Sequence, residues 1–510
     1  MSRISRLTCG TALALCLPAS AALAELTAAQ VWEDWQAYMA SSGYDVTATE
    51  TAAAGSLTVS DATLSMAMGE APEDGTVRLV MDQLRFVENA DGSVSIEVPA
   101  DMRFDLDLAT EEGEDLDMAI AVTQDAPVMT ASGTPEAITY DYTTPSVVME
   151  MVDLMIDGTP VGSEVAAVSV ALDTVSNTSK MTLGDLRRVD QSMQVGAVRY
   201  DVRFEDPEGE GAVKLSGTAQ NLVFDGEAAL PEVDDPQDMN AMLTAGFGFD
   251  GSYANGGGSF DLTFDGPDGS GTANGTTQGT QAQIAMGDAG LIYDVLQQGM
   301  ALNLLLTEFP LPMSFAASEV GTSFQMPLQK SPEPQPFGMG LSFGDFTMSD
   351  VIWGLFDPQG QLPRDPATIA VDLSGQAKVL FDFLDPAQAE VLEATGAMPG
   401  ELNALTLNQL EVDAVGAKLT GVGDFTFDNS DLTTFDGFPK PLGTMDLQLT
   451  GGNTLLDTLV GMGLVPQDQA MGARMMMGLF AVPGDGPDTL NSRIEVNEEG
   501  QVLANGQRIR

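Results

Sequence analysis

Carboxylates are the one abundant set of side chains here that could do acid–base chemistry. The chain carries 75 Asp and Glu against 20 Lys and Arg, a formal net charge of −55, and no histidine. Without histidine there is no Ser-His-Asp or Cys-His relay, no H-E-x-x-H zinc site and no imidazole proton shuttle. The cysteines, Cys9 and Cys16, both fall in an amino-terminal apolar run, so the rest of the chain has no disulfide, thiolate nucleophile or thiolate metal site. No lysine has a serine three residues before it, which removes the S-x-x-K arrangement. Gly246 to Gly251, GFGFDG, has G-x-G-x-x-G spacing, but it follows a helical pattern and enters an extended one, the reverse of a phosphate cradle. Gly484 to Asp488 and Phe264 to Gly271 are rich in Asp and Gly without the D-x-[DN]-x-[DN]-G-x5-E order of a calcium loop. No catalytic residue, metal ligand or cofactor is assigned.

Paired acids remain. Asp105 with Asp107, and Asp115 with Asp117, lie two apart on extended patterns and share a face. A glycosidase needs two carboxylates facing each other across a sugar. These acids alternate with apolar residues and so belong to a solvated face, and a chain with 3 Trp and 7 Tyr is poor in sugar-stacking rings.

The apolar residues are more informative. There are 28 methionines, dense at Met149-Met151-Met155 and at Met471-Met475-Met476-Met477. Methionine fills irregular apolar space or adaptable binding surfaces. Candidate contacts for an apolar ligand are Trp32 and Trp35 near the amino terminus, and Leu456, Leu459, Met475 and Met476 near the carboxy terminus.

The elements that position these residues follow from periodicity. Arg3 and Arg6, an apolar run from Leu7 to Leu17 and Ala22-Leu23-Ala24 read as a cleavable signal over 1–24, giving an exported, periplasmic protein. No later run approaches the roughly 20 apolar residues of a membrane helix. Val31, Trp32, Trp35, Tyr38 and Met39 form a helical stripe opened by Thr27 and closed by Gly43. From about residue 47 to 285 the period is two, as in Met102, Phe104, Leu106 and Leu108. Turns are expected at Asp91-Gly92, Glu112-Gly113, Asp157-Gly158, Asp225-Gly226, Asp265-Gly266 and Asp268-Gly269. Helices are expected near Asp235-Pro236, over 287–310, after Ser349, after Asp385-Pro386, and as a pair over 452–480. Residues 330–338, KSPEPQPFG, read as a proline-rich linker between an amino-terminal helix plus β-rich region (25–329) and an α+β region (339–510).

Three stretches resemble a known family. TAAQVWEDWQAYMASSGYDV, DVIWGLFDPQGQLPRDPATIAVDLSGQAKV and GTMDLQLTGGNTLLDTLVGMGLVPQDQA are similar to the exported bacterial domain-of-unknown-function family 2125. The carboxy-terminal layout, a strand, a Gly turn, a helix pair and a hairpin ending in NGQRIR, also resembles the last unit of AsmA-like envelope proteins. That resemblance implies a β-rich envelope protein associated with lipid transport and upkeep, and it brings no catalytic residue.

The expected fold is mainly β with helical insertions: long curved antiparallel sheet with helices packed on its apolar face. The expected function is a non-catalytic periplasmic protein that binds an apolar, lipid-like ligand or supports envelope maintenance. Its partners would be lipid or another envelope protein; the negative charge argues against nucleic acid. The alternatives are a structural or protein-interaction module with a dry core, and a carboxylate-dependent glycan hydrolase.

Overall fold

The computed structural model describes residues 26–510 except 68–74, 110–114, 207–208, 210, 234–237, 268 and 397. The expected signal, the turn residues Glu112, Gly113 and Asp268, and the helix start at Asp235-Pro236 lie outside the described residues.

Helix α1 (Ala28–Ser41) precedes a long run of strands: β1 (Asp45–Ala53), β2 (Ser56–Ala67), β3 (Gly75–Glu88), β4 (Val94–Glu97), β5 (Asp101–Ala109), β6 (Asp115–Gln124), β7 (Val128–Thr134), β8 (Ala137–Ile156), β9 (Thr159–Pro160), β10 (Ala166–Thr182), β11 (Arg187–Glu205) and β12 (Ala212–Leu230). After the short α2 (Met239–Thr244) come β13 (Gly248–Asn255), β14 (Gly258–Gly266), β15 (Gly269–Thr277), β16 (Gly279–Gly287), β17 (Gly290–Leu306), β18 (Met313–Met326) and β19 (Gln335–Met348). The remainder is α3 (Asp350–Phe356), β20 (Ala367–Val379), α4 (Pro386–Thr395), β21 (Gly400–Ala414), β22 (Ala417–Asp428), β23 (Lys440–Thr450), α5 (Gly452–Gly461), α6 (Gln467–Phe480), β24 (Val482–Pro483), β25 (Thr489–Val496), β26 (Val502–Ala504) and β27 (Gln507–Arg508). All the strands join one antiparallel sheet, and among the described residues β1 does not pair with the carboxy-terminal strands, so the sheet is open. No helix among the described residues is long and apolar enough to cross a membrane.

Directly paired residues point to the same face of a sheet. One such row passes from β1 to β23 through Ala52, Leu57, Phe86, Ile96, Met129, Tyr142, Asn177, Met193, Phe224, Tyr253, Ala282, Val295, Thr322, Leu341, Val371, Leu410, Gly421 and Leu447. A second runs from β5 to β19 through Met102, Val122, Met149, Val170, Tyr200, Gly217, Phe260, Gly275, Leu302, Phe315 and Met348. Where glycine interrupts the second row a ring fills its place. A Cβ on Gly217 would collide with the Tyr200 ring, and one on Gly275 with that of Phe260.

Between the two rows the sheet is creased. Asp61 in β2, Ala126 between β6 and β7, Thr174 in β10, Asn221 in β12, Gly299 in β17 and Asp345 in β19 all have positive φ. Register places them on one line across the strands: Thr174 lies opposite Gly196, which lies opposite Asn221, and Gly299 lies opposite Ser318, which lies opposite Asp345. The gaps between β4 and β5, β6 and β7, β13 and β14, and β15 and β16 continue the line, so each of these pairs is one long strand broken at the crease. Each irregularity shifts the apolar alternation by one residue, as from Val195 to Val198 in β11, and bends the strand. The bend turns the apolar face inward: Val175 and Val195 on one side of the crease form one buried cluster with Val147 on the other, joined by Leu172 and Val198. At about 4.8 Å per strand, the trough from β2 to β19 runs for roughly 60 Å.

Helix α1 closes one end of this face. Thr27 and Gln30 form a reciprocal capping box, and Val31 and Trp32 sink into a core with Leu57, Leu84, Phe86, Ile138 and Val189. A buried ion pair ties the helix down: Arg187 donates to Asp34 at 2.8 Å, and Tyr140 donates its hydroxyl to the same carboxylate at 2.8 Å. Burial, with Asp34 adding to it, holds the Tyr140 hydroxyl far above its ordinary pKa, so it stays a donor. At the other end Asp488 accepts from the backbone N–H groups and side chains of Asn453 and Thr454, capping α5 from a distant loop.

Two local expectations are corrected. Residues 290–306 are strand β17, not helix: the Gly287–Gly290 turn makes a hairpin with β16, and Leu291, Tyr293 and Val295 alternate onto the apolar face. Asp225-Gly226 is not a turn but lies inside β12, where Gly226 faces Gly251 and the Phe224 ring lies over it. Residues 330–338 are part loop and part strand; β19 begins at Gln335 and pairs with β18, so the sheet continues across them.

Breaking a buried ion pair from one side strands the other charge, so Asp34→Ala should cost about 3–5 kcal/mol in denaturant unfolding. Partial burial opposes ionisation of Asp488, but its hydrogen bonds to Thr454 and Asn453 outweigh that and hold its pKa below the usual carboxylate value. Its contribution is therefore present above the unfolded value of about 3.9 and lost as pH falls through the lower folded value. Amide exchange protection at the start of α5 should fall in that acid range, and Asp488→Asn should remove the pH dependence.

Candidate functional site

The two faces of the sheet differ in chemistry. The polar face carries acids, and arginines hold several of them. Arg103 bridges Asp105 at 2.7 Å and Asp153 at 2.9 Å, and Arg78 approaches Asp107 at 3.9 Å. Arg199 pairs with Asp173, and its hydrogen bond holds that carboxyl below its ordinary pKa. Asp105 and Asp107 thus lie along one strand beside arginines rather than across a cleft from each other. The depressions on this face, such as the one bounded by Asp446, Gln448, Asn491 and Arg493, are open to solvent. Among the described residues no three acids are grouped to hold a metal ion. A G-x-S-x-G spacing at Gly340–Gly344, passed over above, lies in mid-strand: Ser342 pairs with Gly321 and Ala370 instead of standing on a strand-to-helix elbow, and there is no histidine to serve it.

The apolar face is the unusual one. Under α1 its residues are closed off, with Phe86 fully buried. Further along, none of the helices among the described residues covers it. Ile284, Tyr293, Phe324 and Met339 form one transverse run of direct pairs on β16, β17, β18 and β19, and they are 44%, 39%, 38% and 52% exposed. Leu341 and Ile369 beside them are exposed as well. Water on a contiguous apolar surface of this kind is costly, which is why such patches mark binding sites. At about 4.8 Å between strands and roughly 6.8 Å between same-face residues, each position contributes about 33 Å² of sheet, so a few tens of positions give on the order of 1,000 Å².

The residues expected to touch ligand do not form one site. Trp32 is core: its indole N–H donates to Glu50 at 2.7 Å and its ring packs on Phe86. Trp35 stands edge-on to Phe86 and against Tyr140. Leu456 and Leu459 are half-buried in α5 at the other end of the sheet. Met475 and Met476 on α6 are exposed, so they neither fill a core nor rest on the sheet. The wall residues Tyr253, Tyr293, Phe324 and Met339 were passed over. The signal for them was the one-residue slip in alternation within long strands, repeated from strand to strand.

No family model and no curated protein matches the chain. Among solved structures, the alcaligin outer membrane receptor FauA from Bordetella pertussis aligns over 90% of this chain and 69% of its own at 10% identity, with a TM-score of 0.18. A likeness of that size carries no argument about what this protein does.

If the exposed wall is the binding surface, a neutral solvatochromic dye should bind the native protein. Phe324→Asp with Met339→Asp should weaken that binding by about tenfold or more, since each removes an apolar contact worth about 1.5–3 kcal/mol. The unfolding midpoint should move little, because both side chains are already partly in water. Dye affinity and midpoint measured together check this.

Proposed function

We propose that this is a non-catalytic, exported envelope protein that holds an apolar, lipid-like ligand in the trough of its sheet. The observation that carries the reading is the uncovered transverse run Ile284–Tyr293–Phe324–Met339, continuous with rows whose far end is dry under α1. A dry-core structural module has no use for such an exposed wall, and the covered part under α1 is already core enough to fix that end. The absence of histidine and of cysteine outside the first residues supports a binding role over catalysis. The resemblance to exported family 2125 and to the AsmA-like unit, together with the sequence of residues 1–24, supports the periplasm as its place. The wall is long, neutral and lined by Met, Leu, Ile, Val and aromatic side chains, which suits extended acyl chains better than a compact ligand.

Native mass spectrometry of protein gently purified from envelope-bearing cells should show bound lipid. Ile284→Asp with Met339→Asp should empty it while the fold is kept. Lipid-free wild-type protein from such cells would remove the reading.

A further inference from the structure

Two unbroken rows of directly paired residues cross the trough face from β10 to β23, one from Ser179 to Met445 and one from Asn177 to Leu447. Neither row holds an Asp, Glu, Lys or Arg. The row between them, which points to the other face, carries Asp225, Asp294 and Asp372. Both uncharged rows begin with polar side chains. Gln191 donates its amide to the Asn177 side-chain oxygen at 3.0 Å, and Asn177 donates to the Ser179 hydroxyl at 3.3 Å. All three residues are half-buried. Among the described residues the Ser179 hydroxyl meets no acceptor and the Gln191 side-chain oxygen no donor, so the cluster can still give and take hydrogen bonds.

The cluster stands where the covered end of the trough opens. Toward α1 it is followed by Met181 and Val189, which belong to the dry core. In the other direction its row runs through Gly226 and Gly251 to Ile284 and Tyr293. A Cβ on Gly226 would meet the Phe224 ring at 3.0 Å and one on Gly251 the Phe249 ring at 2.5 Å, so the floor between is aromatic. Gln191 and Tyr293 are four strands apart, roughly 19 Å at about 4.8 Å each. One acyl chain spans half of a ~30 Å bilayer core, about 15 Å. A lipid with its polar end at the cluster would thus lay its chain across this floor onto the exposed wall. An ionised end group is poorly served there, because a carboxylate or phosphate taken from water needs a cation. The charge on this face of β11 is Arg187, and it is committed to Asp34 under α1. The net charge of −55 also opposes an anion. An ester carbonyl can accept from Ser179, and a hydroxyl can in addition donate to the Gln191 oxygen.

We propose that Asn177, Ser179 and Gln191 receive the uncharged polar end of a lipid, an ester or hydroxyl as in a monoacylglycerol, whose chain runs toward Tyr293. This rests on the trough reading and adds the class of ligand to it. An ionised lipid still enters by its chain, more weakly, with its head left in water. The test displaces a neutral solvatochromic dye with glycerol monopalmitate and with palmitate, both below micelle-forming concentration and at a pH where palmitate is ionised. Glycerol monopalmitate should displace the dye from wild-type protein at a concentration about tenfold lower than palmitate, the effect of one or two hydrogen bonds. Asn177→Leu with Gln191→Leu should abolish that preference, each variant being read against its own dye affinity. Gln191→Lys should turn the preference toward palmitate, a gain that a folding defect cannot produce. Palmitate that competes as well as the ester on wild type, a dye that neither lipid displaces, or a preference that either variant leaves unchanged overturns the proposal and leaves the trough reading standing. Wild-type protein that binds no dye removes the trough reading, and this proposal with it.

Discussion

Everything in this fold depends on neighbouring strands changing phase together. A one-residue slip in a single strand would turn its apolar residues to the polar face and leave them opposite acids. Here the slip occurs at Thr174 in β10 and Asn221 in β12, either side of Gly196 in β11, and again at Gly299 in β17 and Asp345 in β19, all on one transverse line. Because the partners slip together, direct pairing survives and the apolar residues keep one face from edge to edge. The strands bend at each irregularity, so the same device that preserves the face also folds it into a trough.

The two ends of the trough are finished differently. α1 brings two tryptophans and a buried Asp34–Arg187 pair, and the result is dry and fixed. Toward β16–β19 no helix among the described residues covers the wall, and at the carboxy-terminal end α5 and α6 are held by the buried Ala470, the Asp488 cap and hydrogen bonds to the Phe480 carbonyl. Charge is partitioned in the same way. The polar face carries acids such as Asp105, Asp153 and Asp173, each beside an arginine, while the wall of the trough is apolar.

Much of this was legible in the sequence. Period-two runs such as Met102 to Leu108 gave the strands, Thr27 and Gly43 bounded α1, and the Gly451-Gly452 break led into a helix pair. The crease was harder to read, because a left-handed Thr174 or Asn221 looks like any polar strand residue until its neighbours are aligned. Residues 290–306 misled for a related reason: the phase change at Gly299 makes two strand patterns resemble one helical one. The tryptophans suggested a ligand site but pack on Phe86, since an aromatic helix face beside a sheet is buried first by the sheet itself. The methionines of α6 suggested contacts to an apolar ligand, and their exposure depends on where α6 docks, which no local pattern encodes.

Methionine methyl NMR with a nitroxide-labelled lysophosphatidylcholine tests the central claim most directly. Met193, Met286 and Met339 line the trough, whereas Met398 lies exposed in the connection between α4 and β21. The account predicts strong paramagnetic broadening of the trough methyls and little at Met398. Broadening that spares Met193, Met286 and Met339 would contradict it.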